Sequence, residues 1–286
     1  MSKLLINPQT EKQIKAFLKN PSQILIQGSR GSGKSTILLW LASQILDIEE
    51  DQLSSYPYLL NLKPNEKGII PIDSSRLIDH FISRAVPLKK PGIKRVILID
   101  DAECLTIEAQ NALLKILEQP PEDTIFILST SNPTKLLVTV LSRLNLIRII
   151  NPEKNQFIKY LEDQGIDKDK ARQALAISGG TIGLAIAVAT EDKNHPLAQA
   201  VATARKILIA NTYERLSLIN NLTKDPKLVI NTLSVLQQMA KVALETAQGK
   251  QVKRWNKVLI SSYQSDRYLE TRTNLRLTLT YLMLHI

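Results

Sequence analysis

The chain is 286 residues long, 44% hydrophobic and 22% charged, a composition that excludes disorder and suits about two folded domains. Its formal charge of +10 is uneven: residues 1–194 hold 24 basic and 22 acidic side chains, whereas residues 195–286 hold 13 and 5. A single cysteine, Cys104, excludes an internal disulfide and argues against a cysteine zinc site; no apolar run approaches the ~18 residues of a membrane span. The start, MSKLLINPQTEK, lacks the apolar core of a signal peptide, and together these features point to a cytoplasmic chain without membrane contact.

Met1–Asn20 reads as a short amphipathic helix. Gln23–Ile26 (QILI) is apolar and β-branched enough for a buried strand, and Ile37–Ile45 (ILLWLASQI) has the length and residue types of a buried helix. Between them lies Gln27–Thr36, QGSRGSGKST, in which Gly28, Gly33, Lys34 and Ser35 fit G-x-x-x-x-G-K-[ST]. Strand, glycine loop and helix are the context this phosphate-binding motif requires. Gly28, Gly31 and Gly33 let the backbone turn tightly, so that the amides of Ser29, Arg30, Ser32 and Thr36 as well as the glycines can aim inward as an anion cradle. The helix N-terminus adds partial positive charge. Lys34 would reach the β- and γ-phosphates of a nucleotide, and Ser35 would hold Mg²⁺.

Lys63–Ile72 contains two prolines and a glycine and reads as a loop. Asp73–Ser75 offers caps for a helix on which Leu77, Ile78, Phe81, Ile82 and Ala85 recur at helical spacing, and Pro87 ends it. Arg95–Asp100 (RVILID) is an apolar run ending in acid, the pattern of a buried parallel strand. Thr106 can cap the next helix, which carries Ala109, Ala112, Leu113, Ile116 and Leu117 and stops at Pro120-Pro121. Thr124–Thr130 and Leu146–Ile150 are further strand candidates. Strands alternating with helices imply a parallel sheet covered on both faces.

After Asn151 the strand signals vanish. Asn151-Pro152 opens a helix closed by Gly165, Asp167 opens a second closed by Gly179-Gly180, and Thr181 opens a third. The polar Glu191–Pro196 is the expected linker. Helical periodicity continues over Pro196–Ala210, Tyr213–Leu222, Pro226–Gln248 and Lys253–Ser262. Leu275, Leu277, Leu279 and Tyr281 alternate like a strand but read as helix, because no neighbouring strand exists to pair with them. The boundaries expected are 1–150 for an α/β P-loop domain with a parallel sheet, 151–192 for a small helical lid and 193–286 for an all-α domain. The basic last third suits a polyanion or acidic partner, or a solvated basic face.

A P-loop needs a second Mg²⁺-side acid at the end of another strand, and Asp100 and Asp101 end RVILID. From here the chain resembles a family. Residues 94–144, with NALLKILEQPP (Asn111–Pro121) and the LSR of Leu141–Arg143, look like the heart of the AAA+ clamp-loader ATPases of bacterial DNA polymerase III. The pattern is nearer to the delta-prime subunit than to gamma/tau. The resemblance covers residues 1–190 well and the remainder loosely, through NLRLTL (Asn274–Leu279).

That resemblance implies an AAA+ sheet domain, a three-helix lid and a helical collar that assembles a hetero-oligomeric ring with other clamp-loader subunits. Such a ring opens a sliding clamp and meets primed DNA, which this chain would touch only indirectly. Lys34 and Ser35 would then bind ATP and Mg²⁺, with Asp100 as the Mg²⁺-side carboxylate. Asp101 falls where active members carry a water-orienting glutamate, Ser131 at the sensor position near the γ-phosphate, and Arg143 on the arginine that reaches a neighbouring subunit's nucleotide. Three departures matter. Asp101 is a methylene shorter than glutamate, Gly183 stands where gamma subunits carry a sensor arginine, and the family's zinc module is missing. They suggest weak hydrolysis or none. A gamma-type ATPase motor and an AAA+ switch outside clamp loading remain the alternatives.

Overall fold

A short apolar run is well hidden in a strand covered on both sides, and the two longest strands are built around such runs, Val96–Ile99 and Ile125–Leu128. β3 (Arg95–Ile99) is buried at all five positions and β4 (Thr124–Thr130) at all seven. With β1 (Ile24–Gln27), β2 (Leu59–Leu62) and β5 (Asn145–Arg148) they form a five-stranded sheet in the order β2-β3-β4-β1-β5, every pairing parallel. Successive side chains alternate between its faces. Ile24, Ile26, Val96 and Leu98 pack on one side with Ile14, Phe17, Leu38 and Leu41. Leu25, Ile97, Ile99 and Phe126 pack on the other with Ile78, Phe81, Leu113 and Leu117. The first group comes from helices α1 (Pro8–Lys19) and α2 (Lys34–Leu46), the second from α3 (Asp73–Ser83) and α4 (Ile107–Glu118).

This computed structural model describes residues 4–65, 68–84, 92–190, 197–271 and 273–286. The chain divides into two units, Ile6–Ile150 and Met1–Leu5 with Asn151–Ile286. In the first, the expected strands and helices form with shifted ends, α1 starting at Pro8 and α2 at Lys34, a short helix at Val138–Leu141 is added, and four further differences stand out. β2 is a strand the sequence did not announce. It is an edge strand with one buried residue, Leu62, so it lacks the apolar run that marks β3. β5 begins one residue before the expected stretch and ends two before its end; Thr10 of α1 covers this edge, its hydroxyl donating to the Arg148 carbonyl at 3.1 Å and accepting from the Ile150 N–H at 3.0 Å. α3 starts without a side-chain cap: Ile72 holds the cap position and Asp73 instead pairs with Arg76 at 3.2 Å. Leu77 is 56% exposed, because the buried row on α3 runs through Ser74, Ile78 and Phe81. Ala85 and Pro87 lie outside the described residues.

The second unit is helical throughout its described residues. α6 (Lys154–Asp163), α7 (Lys168–Ser178) and α8 (Ile182–Thr190) close around Phe157, Leu161, Ala174 and Ala185. Glu153, not Asn151 or Pro152, occupies the cap position of α6. Asp167 caps α7 by accepting from the Asp169 and Lys170 amides. α9 (Ala198–Ile209), α10 (Thr212–Leu222), α11 (Pro226–Thr246), α12 (Lys250–Glu270) and α13 (Leu275–His285) share a core that includes Ile207, Leu236, Val258, Leu279 and Met283. α12 is longer than expected. α13 is a helix capped by Asn274, and its alternating leucines lie on different sides of it: Leu279 is buried and Leu277 exposed. The linker expected at Glu191–Pro196 lies outside the described residues. None of the helices searched among the described residues is long and apolar enough to cross a membrane.

One buried side chain fixes the loop after β4. Gln110 on α4 is 1% exposed. Its Nε2 donates to the carbonyls of Leu105 at 3.2 Å and Lys135 at 3.1 Å, and its Oε1 accepts from the Leu137 N–H at 2.7 Å. The last contact leads into α5 (Val138–Leu141), the helix that precedes Arg143. Gln110→Leu keeps the bulk and removes three hydrogen bonds to the backbone. Each unsatisfied group costs about 1–3 kcal/mol, so urea unfolding should show a loss of about 3 kcal/mol; a loss below about 0.5 kcal/mol, the level of an ordinary surface change, would contradict this account of the loop.

Candidate functional site

The loop between β1 and α2 is shaped by two glycines for different reasons. Gly33, the residue before α2, has φ +85°, a left-handed conformation that costs any other residue. At Gly28 the constraint is space: a Cβ would lie 2.5 Å from Ser32 Oγ and 3.2 Å from Ile149 Cβ. The Gly28 N–H donates to the Thr130 carbonyl at 3.1 Å, so the loop leaves the sheet beside the end of β4. No side chain caps α2, so its first amides face the loop without a capping partner. Lys34 turns back over this loop, and its Nζ donates to the Ser29 carbonyl at 3.1 Å. Ser32 is buried within the loop.

The acids stand at the end of β3, next to β4. Asp100 is buried, and its Oδ1 accepts from the Ser129 hydroxyl at 2.6 Å. The same hydroxyl oxygen accepts from the Asp101 N–H at 3.0 Å. Asp101 has φ +53° and is one of two non-glycine residues in the left-handed region among those described. Ser129 therefore joins both aspartates to the central strand. Ser35 at the start of α2 and Asp100 just after β3 line one cleft of about 10 Å³ together with Asn61 and Lys63, roughly the space of one water.

Burial pushes the Lys34 ammonium below its ordinary pKa, and the charges of Asp101, Glu103 and Asp100 oppose that shift. Burial raises the Asp101 carboxyl, as do Glu103 and Asp100, against the pull of Lys34 and Arg30. Burial also pushes the Glu103 carboxyl up, but the hydrogen bonds from Ser131 help bring it below the usual glutamate range. The structure thus gathers Lys34, Arg30, Asp100 and Asp101 into one electrostatic group. Ser131 joins it differently: its N–H donates to Glu103 Oε1 at 3.1 Å and its hydroxyl donates to the same oxygen. Glu103 was not anticipated. Its signal in the sequence is slight, a third acid just after Asp100-Asp101, and its partner is 28 residues away.

Arg143 joins none of these contacts. Its guanidinium pairs with Glu118 at the end of α4 and donates to the Thr139 carbonyl at 2.6 Å. Both sides of the ion pair are partly exposed. Gly183, on α8, belongs to the helical unit.

Ser129 is the side chain whose loss should disturb the acids most. Ser129→Ala would leave the Asp101 N–H and one oxygen of Asp100 without their partner, at about 1–3 kcal/mol per group. A fall of at least about 1 kcal/mol in urea unfolding stability is expected; wild-type stability would contradict the role given to this hydroxyl.

The profile of the family described as DNA polymerase III, delta subunit, matches residues 7–153, just over half of the 286 residues. The DNA polymerase III delta' subunit of Escherichia coli is 28% identical over 218 residues, 69% of this chain and 64% of that protein. A DNA polymerase III gamma/tau subunit of Mycobacterium tuberculosis is 29% identical over 171 residues, 54% of this chain and 30% of that protein. The aligned part thus spans slightly less than two thirds of the first relative's length and under a third of the second's. Among solved structures, a DNA polymerase III gamma subunit-related protein of Thermotoga maritima shares the fold, with a TM-score of 0.57 at 20% identity over 96% of this chain and 97% of that one. The architecture is a parallel P-loop sheet domain followed by a helical region, and the chain belongs to the DNA polymerase III delta subunit family.

Proposed function

We propose that this chain is a delta-prime-like subunit of a bacterial clamp loader. In this reading it stands in a hetero-oligomeric ring with other clamp-loader subunits, works in the cytoplasm and helps load a sliding clamp on primed DNA, which it meets through the assembly. Residues 1–150 form the nucleotide domain, 151–192 the lid and 193–286 the collar. The observation that carries the reading is the fold of Lys34 onto the Ser29 carbonyl beneath an uncapped helix, with Ser35 and Asp100 on one cleft. These donors fit a magnesium nucleotide: amides and an ammonium for phosphates, and a hydroxyl with a carboxylate for a hard cation.

Bound ATP with Mg²⁺ would supply the phosphate charge that a ring of this kind uses as its switch. The amides of Gly28–Thr36 and the N-terminus of α2 would cradle the phosphates, and Lys34 would lie along them. Ser35 and Asp100 would hold the cation. Asp101 is poorly suited to orient water. Its side chain is short, its backbone is tied to Ser129, and two carboxylates surround it. A misplacement of about 1 Å can cost roughly 100-fold in rate, and Gly183 brings no charge from the lid. The chain should therefore turn ATP over slowly or not at all by itself. The complete Gly28–Ser35 loop with Asp100 favours one other reading, a gamma-type motor, which brisk turnover by the isolated chain would support instead.

Arg143 would act on a neighbour's nucleotide. Its pair with Glu118 is partly exposed, and such pairs are worth about 1 kcal/mol or less. A neighbour's phosphate can therefore replace Glu118 at small cost. Arginine fingers supplied in trans contribute about 10³–10⁵ in rate. Arg143→Ala should leave the stability of the chain within about 1 kcal/mol of wild type and cut ATP hydrolysis by the assembled ring at the one site it faces. The measurement is ring ATPase with the variant incorporated and its assembly confirmed by sedimentation. Full activity would reduce Arg143 to a surface ion-pair residue, and failure of the wild-type chain to assemble with clamp-loader subunits would sink the reading.

A further inference from the structure

Glu103 is a carboxylate that the nucleotide reading leaves unused, yet it stands among the groups that reading needs. The 3-10 turn Ala102–Cys104 follows Asp101 and is closed by the Cys104 N–H on the Asp101 carbonyl at 2.8 Å. From this turn the Glu103 side chain crosses to the residue after β4, where the N–H and hydroxyl of Ser131 both donate to Oε1. That residue adjoins the P-loop. Gln27 stands opposite Thr130 in the parallel register, and the Gly28 N–H donates to the Thr130 carbonyl at 3.1 Å. The charge also reaches Lys34: Glu103 follows Asp101 and precedes Asp100 among the carboxylates that favour the charged ammonium.

The backbone cradle and helix N-terminus of a P-loop serve the α- and β-phosphates, and the lysine reaches the β- and γ-phosphates. Here both Lys34 and Ser131 already face a resident anion. A diphosphate, whose terminal phosphate meets Lys34, leaves the Glu103–Ser131 pair as it is. A triphosphate brings more negative charge toward Glu103 and must compete with it for both groups. Resting on the nucleotide reading above, we propose that Glu103 is the specificity-determining residue of this site. Its carboxylate, held by Ser131, makes the P-loop accept a nucleoside diphosphate in preference to a triphosphate. Selectivity of this kind comes from a charge set against the competitor rather than from a new contact to the favoured ligand.

Glu103→Gln is the discriminating change, because the amide keeps the shape and an accepting oxygen for Ser131 while removing the charge. Titration calorimetry on the full chain with Mg²⁺ would compare ADP with the slowly hydrolysed analogue ATPγS. The wild type should bind ADP more tightly than ATPγS. In Glu103→Gln the ratio should shift by about tenfold toward ATPγS, an effect within reach of one nearby charge in a partly buried site, with ADP affinity nearly unchanged. An unchanged ratio in a variant that still binds ADP overturns the proposal and leaves the nucleotide site standing. An equal loss of both affinities makes Glu103 a structural residue and also overturns it. Absence of binding by either nucleotide to the wild type overturns the nucleotide reading, and this proposal with it.

Discussion

One ammonium held among three carboxylates is the constraint on which the rest of the sheet domain turns. Lys34 is 6% exposed. A buried charge is tolerated only where opposite charges and hydrogen bonds replace its lost water. Ser29 provides the hydrogen bond, and Asp100, Asp101 and Glu103 provide the charge. Those groups come from the ends of β1, β3 and the turn after it, so the strands must lie side by side, run the same way and end together. Parallel strands with helices on both faces meet that need. The apolar alternation of β1, β3 and β4 is thus also what aims the loop and the acids at one another.

How much of this could be read from the chain depended on how local each constraint was. Gly28, Gly33, Lys34 and Ser35 lie within one short loop, and each answers a local demand of backbone angle, space or charge. They were legible without any fold. Asp100 was legible because it ends a short apolar run. The Glu103–Ser131 contact was not, since it joins the ends of two strands and neither residue type announces a partner. β2 escaped for a related reason: an edge strand buries little, so Leu59–Leu62 lacks the run that identifies β3. Helical periodicity showed that α3 is amphipathic but not which apolar residues face inward, and Leu77 is the result. The start of α6 at Lys154 rather than at Pro152 shows that a favourable first-turn proline is permitted, not required.

The departures from an active ATPase pattern fall at separate points of the chain. Asp101 combines a short side chain with a left-handed backbone and two neighbouring carboxylates. Gly183 brings no charge. Glu103 adds a negative group where a triphosphate would want none. Arg143, by contrast, sits in a partly exposed pair with Glu118 from which it can be drawn away. In the reading proposed above, the chain combines a site suited to hold phosphate with features unfavourable to splitting it, and a cation that can be offered elsewhere. Such a division of labour suits a ring in which one subunit completes its neighbour's site.

The most direct test of the central claim is calorimetric titration of the full chain, and of Lys34→Ala, with magnesium ADP. The account predicts saturable binding at one site by the wild type and loss of most of that affinity in the variant. The variant's fold should be intact by circular dichroism, because the hydrogen bond lost is to a carbonyl of the loop itself. Binding by Lys34→Ala at wild-type strength, or no binding by the wild type at millimolar nucleotide, would contradict it.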